Sequence, residues 1–461
     1  MFVAAIVACA FFMETLDSTV IVTALPRMAV AFGSSPVRLS LGLTAYIITL
    51  AIMIPASGWI ADRFGTRNVF CAAIGMFTLA SIGCGFSQSL GQFVLARILQ
   101  GTGGAMMSPV GRLVVLRSTE RKDLVRIMNF VTLPGLIGPI VGPPVGGFIT
   151  TYLSWRYIFF LNVPVGLLGM ALVFGWINNF HGAARRPFDA AGFMLNGAAL
   201  AILIYGMDLL GHRGIGRDGA TLVGAGLALG VLAVWYALRA RHPLVDLSAL
   251  RLKSFSVVNG GGSFFRVAIS GPTFLLPLLF QVGLGMSAFA SGMLLLVHAS
   301  GDFAAKLVTT RLIRSFGFRA ALVWTTVAFA VLIGACGFFT TGTPLYVTLP
   351  VLFLSGACRS LQMTSQTAFQ FAEIPPAGVT AASTLSSALL QIVRAIGVAL
   401  AAAVLSLSSA MRGGITLNLS DFRVALVAIA AMALGSLFWY WPLHPHSGAE
   451  LSGHRVDEAA Q

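Results

Sequence analysis

Long apolar segments separated by short polar connections fill almost the whole 461-residue chain. A membrane-spanning helix needs about 20 consecutive apolar residues, and fourteen segments are of about this length. We therefore predict an all-α polytopic membrane protein with fourteen transmembrane helices. The predicted spans lie near residues 2–25, 39–61, 69–86, 91–113, 127–150, 157–177, 190–210, 219–238, 255–281, 288–310, 320–340, 345–369, 381–406 and 422–441.

Composition and charge agree with this class of protein. Apolar residues make up 57% of the chain and charged residues 10%, against about 25% charged in soluble domains. The net charge of +14 need not indicate a nucleic-acid partner. If the 62–68 loop is cytoplasmic, 17 of the 29 Lys and Arg residues lie on the cytoplasmic side, 7 lie outside and 5 lie within spans. This asymmetry predicts that both termini are cytoplasmic and explains the charge without nucleic acid.

An internal repeat divides the chain into two related parts. The segment 58–67 is similar to 310–319, at an offset of 252 residues, and the second copy keeps Phe-Gly-x-Arg but has Arg314 in place of Asp62. Repeated bundles around a midplane site are typical of secondary transporters. We predict six-helix bundles at 1–178 and 254–441, inserted helices 7 and 8 within 179–253, and a cytoplasmic tail at 442–461. A twelve-span arrangement, without the inserted pair, is the alternative.

Two carboxylates, Glu14 and Asp17, interrupt the first span. An ionisable residue inside a membrane is costly, so it suggests a functional site. Because the two are three residues apart, they share one helix face, where burial and mutual repulsion favour binding of a proton by one of them. We predict that Asp17 carries protons. Glu14 could share this role, or could instead be hydrated or paired with a neighbouring helix.

Arg97 is predicted to lie at the depth of Asp17. At a rise of 1.5 Å per residue, Arg97 lies about 9 Å from the outer end of span 4, and Asp17 lies about 13 Å below the outer Pro26. Neither charge is stable alone in hydrocarbon, so we expect the two to interact. The alternative is that Arg97 bonds to backbone carbonyl groups.

The second half carries more positive than negative charge within its spans. Asp302 and Lys306 are one turn apart and could pair, which leaves three arginines without a counterion. Arginine is suited to bidentate binding of carboxylates and phosphates, so an organic anion is a possible substrate. The arginines could equally be neutralised by first-half carboxylates, and Arg394 could be structural. The predicted substrate-cavity residues are Arg266, Arg359, Gln362, Asp302, Lys306, Gln391 and Arg394.

Two glycine-containing motifs suggest moving parts. The 62–68 loop could hold the bundles in one arrangement through a carboxylate–arginine contact, or could be a solvated turn. Span 5 has glycines at four-residue spacing, which allow close helix approach, and prolines that bend the helix. The predicted latch comprises Gly58, Asp62, Arg63, Gly65 and Arg67. The span 5 motif comprises Gly138, Gly142, Pro143, Gly146 and Gly147.

Other mechanisms have little support in the sequence. None of the three lysines completes a GxxxxGK phosphate loop, so ATP-driven pumping by this chain is not expected. The seven histidines are scattered, and repeated pore motifs are lacking. We therefore expect no catalytic residues, no metal site and no cofactor, and we predict that the protein is not an enzyme.

The motifs resemble those of the fourteen-helix drug:proton antiporters of the major facilitator superfamily, over nearly the whole chain. Leu16-Asp17-Ser18-Thr19 through Pro26 resembles the first-helix motif, and Leu95 through Gly101 the fourth-helix motif. Gly58 through Arg67 resembles the loop 2–3 motif, with Thr66 where a basic residue is usual. Gly138 through Gly147 resembles the antiporter motif, and Trp155 through Gly166 the entry of helix 6.

The resemblance implies a major facilitator fold and proton-coupled efflux of small molecules by alternating access. It also implies a role for Arg97 in proton transfer. The expected partners are a small-molecule substrate, protons and the lipid bilayer, with the protein acting as a monomer in the bacterial inner membrane. Export of organic anions or metal chelates is the alternative function.

Cysteine labelling tests this topology. Single cysteines introduced near Arg185 and Arg251 should react with a membrane-impermeant reagent from the same, cytoplasmic side, because a helix pair returns the chain to the side it left. The comparison is between right-side-out and inverted vesicles. Labelling of the two positions from opposite sides would contradict the inserted pair.

Overall fold

The computed structural model describes residues 2–118, 124–180, 187–213, 217–240, 243, 247–374, 379–413 and 417–444. Within these residues the secondary structure is helical, without strands. Arg185 and most of the predicted tail at 442–461 lie outside the described residues.

Fourteen membrane-spanning helices are found among the described residues, as predicted. Eleven meet a strict test of length and apolar composition, and the other three are 29, 29 and 26 residues long. The helices are α1 Phe2–Ala31, α2 Ser40–Phe64, α3 Thr66–Phe86, α4 Leu90–Ser118, α5 Leu124–Tyr152, α6 Tyr157–Trp176, α7 Ala190–Arg213, α8 Arg217–Arg239, α9 Lys253–Gly283, α10 and α11 within Ala288–Cys336, α12 Leu345–Gln370, α13 Val379–Met411 and α14 Leu419–Tyr440.

Gly317 separates α10 (288–316) from α11 (318–336). Its φ of 74° and ψ of 168° are not helical, and a glycine adopts such angles at low cost because it lacks a Cβ. Gly65, between α2 and α3, has a φ of 88° and lies 252 residues earlier. The two copies of the sequence repeat therefore share a turn that needs glycine.

The helices between the repeats lie at the periphery. Helix α8 packs mainly against α7, and α7 packs against α2 and α13. Much of α8 is exposed, including the apolar side chains of Leu227, Val231 and Leu238. In a membrane protein such side chains face lipid, so this pair covers the outside of the two halves, α1–α6 and α9–α14.

Helix α5 lies between the two halves and contacts each through glycine. Gly138, Gly142 and Gly146 face α1, where a Cβ on any of them would collide with Thr15, Thr19 or the carbonyl oxygen of Val20. Gly147 faces the opposite way, against the backbone of Ala288 and Phe289 in α10. Close helix contacts of this kind depend on small residues. We call the α1–α5–α10 contact the glycine seam.

Among the described residues, the most extensive buried apolar cluster joins the two halves toward one membrane face. We call the side with Gly65 and Gly317 the latch face, and the side with Gly33 and Gly285 the far face. Toward the far face, one cluster combines residues of both halves, among them Leu25, Phe159, Phe274, Phe280 and Phe422. Toward the latch face, separate clusters serve each half. The halves thus join at the far face and separate at the latch face.

Alanine substitution tests the glycine seam. Gly146→Ala should destabilise the protein by about 1–3 kcal/mol, because its Cβ meets backbone rather than a mobile side chain. Gly135→Ala, on the same helix, is the control, since its Cβ would lie 3.9 Å from the nearest atom, Thr15 Cγ2. Thermal unfolding of the purified variants measures the difference. Equal midpoints would contradict the close approach.

Candidate functional site

Asp17 accepts three hydrogen bonds from side chains of two other helices. Arg97 Nη1 in α4 donates to Asp17 Oδ2 at 2.7 Å, which makes this contact a salt bridge. Gln100 Nε2 in α4 and Asn162 Nδ2 in α6 both donate to Asp17 Oδ1 at 2.9 Å. Asp17 is 2% exposed and Arg97 is completely buried. The carboxylate is therefore shielded from water and stabilised by hydrogen-bond donors of the protein.

A second layer of contacts orients these donors. Gln100 and Asn162 also donate to Ser81 Oγ in α3, at 2.7 and 3.2 Å. Arg97 Nη1 donates to Gln100 Oε1 at 2.6 Å, and its guanidinium lies 4.2 Å from the ring centre of Tyr46 in α2. Five helices, α1, α2, α3, α4 and α6, thus meet at one buried ion pair. We call these residues the Asp17 network.

Glu14 lies one turn from Asp17 but has different surroundings. It is partly exposed, and it accepts a hydrogen bond of 2.7 Å from Ser108 Oγ in α4. Arg112 and Arg394 are near enough to interact with it electrostatically. Arg394 belongs to α13 in the second half, and its side chain is exposed although it lies in the middle of the helix. Glu14 of the first half and Arg394 of the second are therefore close enough to interact electrostatically.

Arg359 is paired, contrary to the sequence prediction. Arg359 Nη2 lies 2.8 Å from Asp302 Oδ2, and both side chains are about one-fifth exposed. Lys306, the predicted partner of Asp302, is partly exposed and interacts with it only electrostatically. The pairing follows from the tight packing of α10 and α12, where Gly301 and Gly356 each meet the opposing backbone. This interhelix contact could not be seen in the sequence.

Arg266 and Gln362 are buried in this structure, and their place in a substrate cavity stays a prediction. Arg266 is 2% exposed and donates to the amide oxygens of Gln366 at 2.7 Å, Asn259 at 2.8 Å and Gln370 at 3.2 Å. Gln362 is fully buried, and its Nε2 donates a hydrogen bond to Thr326 Oγ1 at 3.1 Å. Both lie inside the second half. Among the other predicted cavity residues, Arg394 is exposed, and Gln391, Asp302, Lys306 and Arg359 are partly exposed.

The 62–68 loop is anchored to the end of α6. The backbone N–H of Arg67 donates to Asn179 Oδ1 at 3.1 Å, and that of Thr66 to the carbonyl of Phe180 at 2.9 Å. Phe180 N–H donates in return to Thr66 Oγ1 at 3.3 Å. Thr66, which departs from the family motif, thus has a structural role. Asp62 is partly exposed, whereas Gly58 and Arg63 are exposed.

Sequence reasoning missed several members of the site. Gln100 and Asn162 lie within the segments that resemble the fourth- and sixth-helix motifs, so a signal was present. A polar side chain within an apolar span needs a partner, and that argument would have selected both. Ser81 and Ser108 carried no such signal, because hydroxyl groups often bond to their own helix.

Comparison with known proteins identifies the family. A family model described as Major Facilitator Superfamily matches residues 7–398. The chain belongs to the Major Facilitator Superfamily. It is accordingly a multi-span membrane transporter and not an enzyme.

Sequence relatives and solved structures agree with this assignment. The chain is 38% identical over 406 residues to "Putative multidrug resistance protein MdtD" of Klebsiella pneumoniae (strain 342), covering 87% of this chain and 85% of the relative. A protein of the same name in Escherichia coli (strain K12 / DH10B) is 38% identical over 408 residues, with the same coverage. The predicted resemblance to the major facilitator superfamily is confirmed.

At the level of fold, two solved transporters are similar to the chain. A D-xylose–proton symporter has a TM-score of 0.65 at 15% identity, covering 97% of this chain and 98% of the symporter. An auto-inhibited peptide transporter of the POT family has a TM-score of 0.67 at 15% identity, covering 100% and 98%. At this identity the likeness concerns the fold alone.

The energetics of the ion pair can be measured by a double-mutant cycle. Arg97→Met should lower stability by about 3–5 kcal/mol, because it leaves Asp17 buried without its cation. Combining it with Asp17→Leu should recover much of the loss, since the unpaired charge is then removed. Arg112→Met, at an exposed position on the same helix, is the control and should change stability by less than about 1 kcal/mol. A double variant no more stable than Arg97→Met would argue against a direct pair.

Proposed function

We propose that the protein is a proton-coupled exporter of small organic molecules, working by alternating access in the bacterial inner membrane. The observation that carries the proposal is the buried Asp17–Arg97 salt bridge at 2.7 Å. A carboxyl group surrounded only by hydrogen-bond donors is stable in these surroundings when it is charged, and much less stable when it is protonated. Charged, it binds Arg97; protonated, it releases Arg97 and must be rehydrated or repacked. Proton binding is thereby converted into a change of helix contacts.

The position of Asp17 links this change to the glycine seam. Thr15 and Thr19, two residues before and after Asp17, contact Gly138 and Gly142 of α5, and Thr19 Oγ1 donates to the carbonyl of Gly138 at 3.3 Å. Helix α5 in turn contacts α10 of the second half. A shift of α1 that follows protonation of Asp17 is therefore transmitted to the contact that closes the far face.

Glu14 is our candidate for the substrate-facing carboxylate. It is partly exposed, accepts a hydrogen bond from Ser108, and interacts electrostatically with Arg394 of the second half. An amphiphilic drug with a cationic group could pair with it. The name of the MdtD relatives, multidrug resistance protein, supports this class of substrate.

Export of organic anions is less well supported by the geometry. That alternative was motivated by unmatched arginines, but Arg359 is paired with Asp302 and Arg266 is enclosed among amide oxygens. Of the cations predicted for the second-half cavity, the exposed Arg394 and the partly exposed Lys306 are left to receive an anion. An anion at Arg394 would also lie near Glu14, which repels it.

We further propose that the latch face is cytoplasmic, with both termini inside and the transporter acting as a monomer. The charge asymmetry of the loops supports this orientation. The separated cores at the latch face then correspond to an inward-open state. We expect the latch residues Gly58, Asp62, Arg63, Gly65 and Arg67 to engage the second half when the cytoplasmic side closes.

Neutralising Asp17 tests the coupling. Asp17→Asn should abolish export driven by an imposed proton gradient yet leave substrate binding intact, because the amide keeps the shape and loses the titration. Arg97→Ala should have the same effect, whereas Glu14→Gln should weaken binding of cationic substrates more than coupling. Dye export from proteoliposomes and binding to purified protein measure the two effects separately.

Asp218→Asn is the control, since Asp218 is an exposed carboxylate in the first turn of α8. It should export as the unmodified protein does. Counterflow against a panel of lipophilic cations and organic acids identifies the substrate class. Full gradient-driven export by Asp17→Asn would mean that the proton is carried elsewhere, with Asp302 as the next candidate.

A further inference from the structure

A cleft on the outside of the second half is not used by the proposed transport cycle. It has a volume of about 300 Å³ and lies where α10, α11 and α12 meet, next to the turn at Gly317. We call it the lateral cleft. Its lining includes Leu312, Phe316, Ala321, Trp324, Leu361 and Ser365.

The lateral cleft opens toward lipid. Phe316 and Trp324 line it and are 63% and 70% exposed. From Gly317 to Trp324 the helix rises about 10 Å, so the cleft extends from the membrane surface into the acyl region. Trp441 is largely exposed, and its ring centre lies 5.9 Å from the guanidinium carbon of Arg319. An interfacial tryptophan of this kind marks the level of the lipid headgroups.

Two arginines lie close in sequence to the lining of the lateral cleft. Arg311 precedes Leu312 and is exposed, and Arg319 precedes Ala320 and is partly exposed. The sequence contains no Asp or Glu from 303 to 372. In the first-half copy of this turn an acidic residue, Asp62, stands at the position of Arg314. The second copy has thus lost the carboxylate that a latch requires.

The interior of the cleft carries one unused polar group. The Ser365 hydroxyl is completely buried, lines the cleft, and has no hydrogen-bond partner among the described residues. A buried polar group without a partner calls for an explanation, such as a bound ligand. An ester carbonyl oxygen is a group that could accept from it.

We propose that the lateral cleft binds an anionic phospholipid from the leaflet at the latch face. One acyl chain fills the apolar cleft, an ester carbonyl accepts from Ser365, and the phosphate lies between Arg311 and Arg319. Basic residues at the membrane surface between transmembrane helices favour anionic headgroups. The volume is at the lower end of the range for small-ligand pockets, which suits part of one chain better than a whole drug. Such a lipid would brace α10 against α11 at their shared turn.

Native mass spectrometry of the purified full-length protein tests the proposal, with phosphatidylglycerol and phosphatidylcholine as probes. The unmodified protein should retain one phosphatidylglycerol molecule more tightly than any phosphatidylcholine. Ala321→Trp, which fills the cleft, should abolish this binding. Arg311→Gln, at an exposed position, should weaken it about fivefold, the factor expected for one basic residue at an anionic surface.

Arg239→Gln is the matched control. Arg239 ends α8 at the same membrane face and lies over Trp235 at 4.2 Å, away from the lateral cleft. This variant should retain the lipid as the unmodified protein does. Equal loss in Arg239→Gln and Arg311→Gln would overturn the proposal in favour of unspecific surface attraction. Equal binding of phosphatidylcholine would also overturn the proposal. So would an Ala321→Trp variant that loses binding of a lipophilic dye but still retains the lipid.

Discussion

Every charge inside this membrane protein must be neutralised without water, and the arrangement of the helices follows from that constraint. An isolated ion in a low-dielectric interior costs an idealised ~20 kcal/mol. The chain meets the requirement in three ways. Asp17 is paired with Arg97, Arg359 is paired with Asp302, and Arg266 is surrounded by amide oxygens. Each solution ties together helices that are distant in sequence.

The three solutions differ in their response to protons. The Asp17 network contains a carboxylate whose neutralisation would free an arginine, so it can act as a switch. The surroundings of Arg266 consist of side-chain amides, which do not titrate, so that site keeps its charge in every state of the cycle. The second half is therefore suited to a fixed framework, against which the first half moves along the glycine seam.

The sequence predicted the membrane helices and the contact between Asp17 and Arg97, but not the partners of Arg359 and Arg266. Long apolar segments indicate membrane helices directly. The depth of a charged residue in the membrane follows from the constant rise per residue of a helix, so Asp17 and Arg97 could be predicted to lie at the same depth. Arg359 could not be matched in the same way. Its partner depends on how closely α10 and α12 approach, and this is decided by Gly301 and Gly356 against the opposing backbone. Arg266 likewise depends on Gln366 and Gln370, about 100 residues away.

The shared core at the far face has a consequence for folding. Leu25 and Phe159 of the first half belong to the same apolar cluster as Phe274 and Phe422 of the second. Neither half can complete that cluster alone, so each half expressed separately would present an unsatisfied apolar surface toward its missing partner. The two halves should consequently lose their structure in one cooperative transition, although they carry the two copies of a sequence repeat.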